Sequence, residues 1–595
     1  MRPSLVFCIA SFVLPCVATA SSPSSDAPFC ALRFGYRYTQ PDKWPEMRAA
    51  LAKNRAAFDE VWFSTGVCFP PLAWHEEHAR QCATAAADLR KLGIVPSIEI
   101  QTIVGHTDAI LGSGDCSGQD WGTMVSADGL AAKRISCPRD PKLIAYFSRV
   151  AELHAAWKPG SVWTDDDLSY RSRAPFKKPE NNLPGCFCDR CLAGFVKKEG
   201  RAWARDELAK AIRADASVRA RWDGYSCAGF GELTRAIAAA VHRVSPETVM
   251  GYQYGGEPRL AIPRGLYDGS GKNVRLRPGA GAYWDTDAHQ QLDKSYGLQA
   301  VLCAARKETW IGACCPEIES CPRTFACRTA QGIILEAFEN LALGMDFLSM
   351  FVADARTDET SDFYADKLFP RLAAAHPFLK GYRDANVGTC SCGFTVAGGK
   401  PVKLVACRGI PIAPATGRSL GPLPGVTKIP VRTSGADWMV GGWRRESVVM
   451  QVISSVALTN FYAQCDRASG GRLPVLFEEA VMAFVMPRVK ADGTLVTVAI
   501  VNASIDRQDP VVVRLRGVPA AATAAVWRQP EVKPVELGLE RCGRDVRVRL
   551  PRIGAWECGY LEFMRRKDDK TRFSAGRHGG DDLSVRLPAA AGRYE

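Results

Sequence analysis

Beyond its first twenty residues, the 595-residue chain has no apolar run reaching about 18 residues, so no stretch reads as a membrane-spanning helix. Histidine is scarce, with eight in all, and no two form a His-x-His pair. His75-Glu76-Glu77-His78 lacks the His-Glu-x-x-His order of a zinc protease. These absences argue against a catalytic metal-dependent hydrolase. There is no Gly-x-Ser-x-Gly elbow and no Walker loop. Gly35-Tyr36-Arg37, after the first strand candidate, is not the Gly-rich phosphate turn of a dinucleotide fold. The net charge is +13, yet Lys and Arg are scattered and form no basic stripe interleaved with aromatics. The charge reads as general surface character, and no nucleic-acid partner is expected.

What is present is an ordinary globular balance, 47% hydrophobic and 23% charged, which excludes disorder over most of the length. A chain this long implies two to four domains. Arg2, the apolar Leu5–Val17 stretch and Ala18-Thr19-Ala20 have the order of a cleavable signal peptide, residues 1–20. A secreted or periplasmic protein is therefore expected. Such a chain would keep 20 of its 22 cysteines, free to serve as disulfides or as metal ligands.

From residue 30 to 385, strand candidates alternate with helical stretches. They are Leu32–Tyr38, Glu60–Ser64, Ile94–Ile103, Ser161–Thr164, Thr248–Tyr254, Gly281–Trp284, Trp310–Cys315 and Phe347–Phe351. Eight such units fit a (β/α)8 TIM barrel with enlarged loops; a doubly wound sheet is the alternative. Residues 386–484, with a Pro/Gly-rich segment, read as a small α/β domain. Residues 485–565 alternate as an antiparallel β-sandwich, and 566–595 as a charged, disordered tail.

In a parallel barrel, function sits at the C-terminal ends of the strands. The fourth strand ends in Asp165-Asp166-Asp167, and such crowding raises a carboxyl pKa as a general acid requires; the alternative is an exposed acidic turn. The seventh ends in Cys314-Cys315-Pro316-Glu317-Ile318-Glu319. Glu317 and Glu319 share a face of an extended strand, with Glu319 nearer the mouth, unless both are loop carboxylates paired to Arg323 or Arg328. Carboxylates on two strand ends suggest glycoside hydrolysis, which needs one protonated acid and one ionised carboxylate. Trp62, Trp163, Tyr254, Tyr283 and Trp284 are candidate sugar-stacking residues, or else core. Cys186, Cys188 and Cys191 are close enough to converge on one structural Zn2+ with Cys137 as fourth ligand; disulfides to other cysteines are the alternative.

These residues resemble glycoside hydrolase family 42, the β-galactosidases built on a (β/α)8 barrel. The matching pieces are Ser136-Cys137-Pro138-Arg139-Asp140-Pro141, the fourth strand, and Cys186-Phe187-Cys188-Asp189-Arg190-Cys191-Leu192-Ala193-Gly194-Phe195. In that family a similar cysteine segment binds zinc with one upstream cysteine. The resemblance also implies an α/β oligomerisation domain, hence a homo-oligomer, a small C-terminal β domain, and no organic cofactor. The family's Asn-Glu pair at the end of the fourth strand is missing, replaced by Asp165-Asp166-Asp167.

The expectation is an exported retaining glycosidase acting on a carbohydrate. Asp166 or Asp167 protonates the leaving group, Asp165 orients that acid, and Glu319 attacks the anomeric carbon with Glu317 next in line. The rival readings are a catalytically inactive carbohydrate-binding barrel and a structural protein that binds through its sandwich.

Overall fold

A computed structural model describes residues 28–565, except 67–68, 106–118, 166–167, 169–176, 178, 256–259, 280–282, 286–293, 296–297, 299–300, 303–304, 306, 321–326, 354–363, 393, most of 397–469, and 510. The signal-peptide and tail readings thus lie outside the described residues.

The chain opens with parallel strands β1 (Cys30–Phe34), β2 (Glu60–Ser64), β3 (Val95–Ile100), β4 (Ser161–Thr164), β5 (Val249–Gly255) and β6 (Val274–Gly279). Strand β7 comes in two pieces, Ile311–Cys314 and Glu317–Glu319, and β8 spans Leu348–Ala353. The first piece of β7 pairs with β6 and the second with β8, which pairs in turn with β1. The curled sheet therefore closes through the Cys315-Pro316 break, giving the eight strand positions of a TIM barrel.

Alternation decides which side chains fill the barrel. Leu32, Val61, Phe63, Ile98, Val162 and Met250 are buried against the helices. The other face turns inward and is layered. At the bottom, Glu60 accepts hydrogen bonds from Ser97 (2.5 Å) and Ser161 (2.7 Å), and Arg275 reaches it from across the barrel at 3.4 Å. The middle layer is aromatic: Trp62 stacks on Trp163 at 4.1 Å between centroids. Gly251 makes room for that stack, since a Cβ there would lie 2.2 Å from Trp163. The top layer is charged and forms the candidate site.

The sixth strand is a correction. It runs over Val274–Gly279, while Tyr283 and Trp284 lie in the loop that follows. Its inward positions are Arg275 and Arg277, so the apolar signature of a strand is absent there. The other strands fall within a few residues of expectation.

Helices α1 (Trp44–Lys53), α2 (Leu72–Lys91), α3 (Pro141–Ala155), α4 (Asp189–Glu199), α5 (Arg205–Ala214), α6 (Ala216–Val244), α7 (Ala261–Ser270), α8 (Ala330–Ala342) and α9 (Phe369–Ala385) accompany the strands. None of the described helices is long and apolar enough to cross a membrane. Helices α4–α6 carry their own small core around Phe187, Phe195, Trp203, Leu208 and Trp222.

Between the barrel and the C-terminal sheets, Phe394–Val396 lies between Ile412–Ala413 and Thr427–Ile429, Trp438–Val440 forms a hairpin with Trp443–Arg445, and residues 459, 462–463 and 466–467 are helical. Two antiparallel sheets follow. One holds Ala483–Val489, Leu495–Asn502, Cys558–Arg565, Ala522–Arg528 and Val535–Leu537, with Cys390–Ser391 at its edge; the other holds Val475–Phe477, Val511–Leu515, Asp545–Leu550 and Glu540–Cys542. Tyr560 docks this sandwich on the barrel through Tyr382 (4.9 Å) and Phe378 (5.3 Å) of α9.

Candidate active site and metal centre

Every barrel strand whose end is described adds a polar group to the top layer, and Arg33 on β1 sits at its centre. Its Nε donates to Glu99 on β3 at 2.5 Å, one terminal nitrogen lies 3.8 Å from Asp165, and the other 3.9 Å from Glu319. Phe351 of β8 lies flat beneath the guanidinium, 4.3 Å from its centroid. Glu99 is fully buried and also accepts from Ser64 (2.8 Å) and Gln253 (2.7 Å). Buried charge of this density is tolerable only when paired and hydrogen-bonded.

Glu317 and Glu319 share the inner face, as their spacing requires. Glu317 is ion-paired with Arg277 of β6. Burial pushes the Glu317 carboxyl up, but the charges of Arg277, Lys294 and Arg33 outweigh it and hold the group well below the usual carboxylate range. Gly279 permits this approach, because a Cβ there would lie 2.6 Å from Glu317 Oε2. The Glu319 side chain is the more open of the two, 12% exposed against 6%. Lys294 continues the network to Glu336 at 2.8 Å, and Arg328 pairs with Glu336 and with Asp285. Arg328 also donates to the Glu319 carbonyl oxygen at 3.2 Å, so it braces the backbone rather than either carboxylate.

Asp165 is buried and accepts from the Thr102 backbone N–H at 3.5 Å. Thr102 has φ 55°, a left-handed conformation that a β-branched residue adopts at a cost, and it does so at the barrel mouth. Asp166 and Asp167 lie outside the described residues.

The aromatic candidates divide. Trp62 and Trp163 are corrected: both are fully buried in the middle layer beneath the site, where no sugar reaches them. Tyr254 lies on β5, with its side chain outside the described residues. Tyr283 is half-buried, its ring 5.8 Å from the Lys294 ammonium, and Trp284 is 47% exposed beside it. Arg33, Glu99, Gln253, Arg277 and Lys294 were not among the expected site residues. The available signal was an ionisable residue inside an otherwise apolar strand, as in Cys30-Ala31-Leu32-Arg33-Phe34.

A second cluster lies in the enlarged loops. Cys137, Cys186, Cys188 and Cys191 bring their sulfurs within 4.8 Å of one another, a group able to hold a metal ion. Cys137 follows the hairpin of Thr123–Val125 and Ala131–Ser136, Cys188 caps α4, and Cys191 lies in its first turn. Asp140 ties the pieces together: it caps α3 through Lys142 N–H (2.9 Å) and takes hydrogen bonds from Gly122 N–H (3.0 Å) and Arg190 (2.6 Å). The Cys137 sulfur is 3.7 Å from that of Cys188 and 3.6 Å from that of Cys191. Four thiolates at about 2.3 Å around a tetrahedral ion have sulfur–sulfur edges of about 3.8 Å, so the spacing fits. The four cysteines of the cluster are free thiols in the structure, as are Cys30, Cys82, Cys315 and Cys558.

No family model matches the chain, and no curated protein does. Solved structures do. An α-L-fucosidase isoenzyme 2 from Paenibacillus thiaminolyticus aligns at TM-score 0.54 and 10% identity, covering 91% of this chain and 100% of its own. A β-galactosidase from Bacillus circulans sp. alkalophilus aligns at TM-score 0.54 and 11% identity, covering 91% and 100%. A GH42 β-galactosidase from G. stearothermophilus aligns at 0.52 and 10%, covering 91% and 99%. The chain has the fold of these glycosidases. The architectural resemblance to family 42 thus extends over nearly the whole chain, at an identity that speaks for the fold alone.

Proposed function

We propose that this protein is an exported retaining glycoside hydrolase. Export rests on the Arg2, Leu5–Val17 and Ala18-Thr19-Ala20 pattern. The observation that carries the chemistry is the gathering of Asp165, Glu317 and Glu319 around Arg33 at the barrel mouth. One guanidinium reaches carboxylates on two strand ends, β4 and β7, and glycosidases draw their carboxyl pair from such strand ends.

Glu319, the more open carboxylate, attacks the anomeric carbon as the glycosidic bond breaks. The leaving oxygen takes its proton from Asp166 or Asp167. The same aspartate then removes a proton from water, which displaces Glu319 and releases the sugar. Asp165, beside Arg33, orients that acid. Glu317, anchored on Arg277, is the fixed anion below the reacting carboxylate. The four-cysteine cluster holds a structural Zn2+, closed to substrate by its four thiolates.

The test is a panel of p-nitrophenyl glycosides with the wild type and Glu319→Gln. The expected result is turnover of at least one substrate with retained anomeric configuration, and a loss of about 10^3-fold or more in kcat in the variant with its circular dichroism unchanged. Activity retained in Glu319→Gln removes the nucleophile assignment. Saturable sugar binding without turnover of any glycoside replaces the enzyme with a binding protein.

A further inference from the structure

We propose that His78, Cys82 and His154 form a second metal site, separate from the four-cysteine cluster, that takes a thiophilic transition-metal ion and is best matched by monovalent copper. His75, His78 and Cys82 stand three and four residues apart, so they share one face of α2. Helix α3 lays His154 against that face. His78, Cys82 and His154 are all buried and bring donor atoms within 4.8 Å of one another. Cys82 Sγ is 3.5 Å from His78 Nε2. Metal bonds of about 2.3 Å to sulfur and 2.0–2.1 Å to nitrogen give a nitrogen–sulfur edge of about 3.5 Å.

A thiol hydrogen-bonded to an imidazole would account for Cys82 and His78 alone. It leaves His154 unexplained. The Tyr146 hydroxyl has one proton, which it donates to the Pro70 carbonyl. Its oxygen, 3.0 Å from His75 Nε2, therefore accepts from His75, which must be protonated there. His75 Nδ1 then carries a lone pair, and His154 Nε2, 3.4 Å away, donates to it. The relay leaves His154 Nδ1 with a lone pair in a fully buried side chain and no partner among the described residues. An orphaned acceptor of this kind is costly, and a metal ion would satisfy it. Relays that fix the tautomer of a ligating histidine are the usual outer shell of a metal site.

Charge selects the ion. On binding, the Cys82 S–H bond breaks, the proton leaves to solvent and a metal–thiolate bond forms. One thiolate and two neutral imidazoles make a neutral site with a monovalent ion and leave +1 with a dication. Among the described residues no hydrogen bond or ion pair joins a carboxylate to His75, His78, Cys82 or His154, and Trp74 stacks on His78 at 4.7 Å. A residual charge would have nothing to balance it. Soft thiolate ligation favours Cu+ on the same grounds.

The full chain, first loaded with zinc and desalted, is offered Cu+ as its bicinchoninate complex. The expected result is one Cu+ taken up per chain with no zinc released, and a copper X-ray absorption spectrum with a mixed nitrogen–sulfur shell. Cys82→Ser and His154→Leu should each weaken uptake at least tenfold. Tyr146→Phe keeps every ligand but cuts the relay, and should weaken affinity by about tenfold; it decides the matter with the wild-type spectrum if the ligand variants do not fold. Absence of uptake by the wild type, uptake only as zinc leaves with an all-sulfur shell, or uptake unchanged in the variants overturns the site.

Discussion

The ion pair of Arg277 with Glu317 makes the sharpest physical prediction. The two side chains are 1% and 6% exposed, and Gly279 leaves just the room that the Glu317 carboxylate fills. Arg277→Met removes the principal cation and leaves a buried carboxylate to Lys294 and Arg33. Removing one partner of a buried pair costs about 3–5 kcal/mol. The two remaining cations put the expected value near the lower end, about 3 kcal/mol, and a melting temperature about 4 °C lower in a barrel of this size. The pH dependence gives the sign. In the wild type the folded-state pKa of Glu317 is depressed. Its contribution to stability is therefore complete above the unfolded value of about 4.3 and is lost as pH falls below it. In Arg277→Met, burial is less opposed, so Glu317 takes up its proton at a higher pH, and a protonated carboxyl tolerates burial. The gap between variant and wild type should be widest near pH 7.5 and should narrow toward pH 4. Adding Glu317→Gln should restore part of the loss. Thermal unfolding by circular dichroism at both pH values measures all of this. A gap independent of pH, or a double variant no more stable than Arg277→Met, would refute the reasoning.

Three further outcomes follow from other parts of the molecule. If the four-cysteine cluster holds zinc as proposed, Cys191→Ser should abolish zinc uptake there, measured by metal analysis, and lower the melting temperature by several degrees, because Cys137, Cys186, Cys188 and Cys191 bring the α3 and α4 ends together. Gly251→Ala sets a methyl group 2.2 Å from Trp163 in the middle of the barrel and should cost about 1–3 kcal/mol in denaturant melts, with a changed tryptophan emission. Trp284→Ala removes an exposed aromatic at the mouth and should raise KM about five- to tenfold at unchanged kcat; an unchanged KM would exclude it as a sugar-stacking residue.

How much of this was readable beforehand depended on whether the controlling interaction was local. Strands β2 and β4 are short apolar runs bounded by turns, and they stand where the pattern put them. Strand β6 hid because its inward residues are arginines, which look like surface until the opposite wall of the barrel supplies Glu60 and the neighbouring strand β7 supplies Glu317. The four cysteines were legible because three lie within six residues of chain and Cys137 opens the segment that leads into α3. The tryptophans were misread for a geometric reason. Alternation says that Trp62 and Trp163 face inward, but depth along the barrel depends on the register between strands, and a two-residue step of about 7 Å separates a packed layer from the mouth.

The same limit explains the histidines. The spacing of His75, His78 and Cys82 names one face of α2, but only the docking of α3 brings His154 to it. The charged top layer is the larger case. Arg33, Glu99 and Arg277 each break the apolar pattern of their own strand, and each would be costly alone in a barrel interior. Each makes sense only with the other two walls in place: Arg33 between Glu99, Asp165 and Glu319, and Arg277 on Glu317. Ionisable residues at inward positions of otherwise apolar barrel strands thus mark the site more directly than the loop carboxylates do. A surface acid can be solvated anywhere, whereas a buried one needs a partner fixed by the fold.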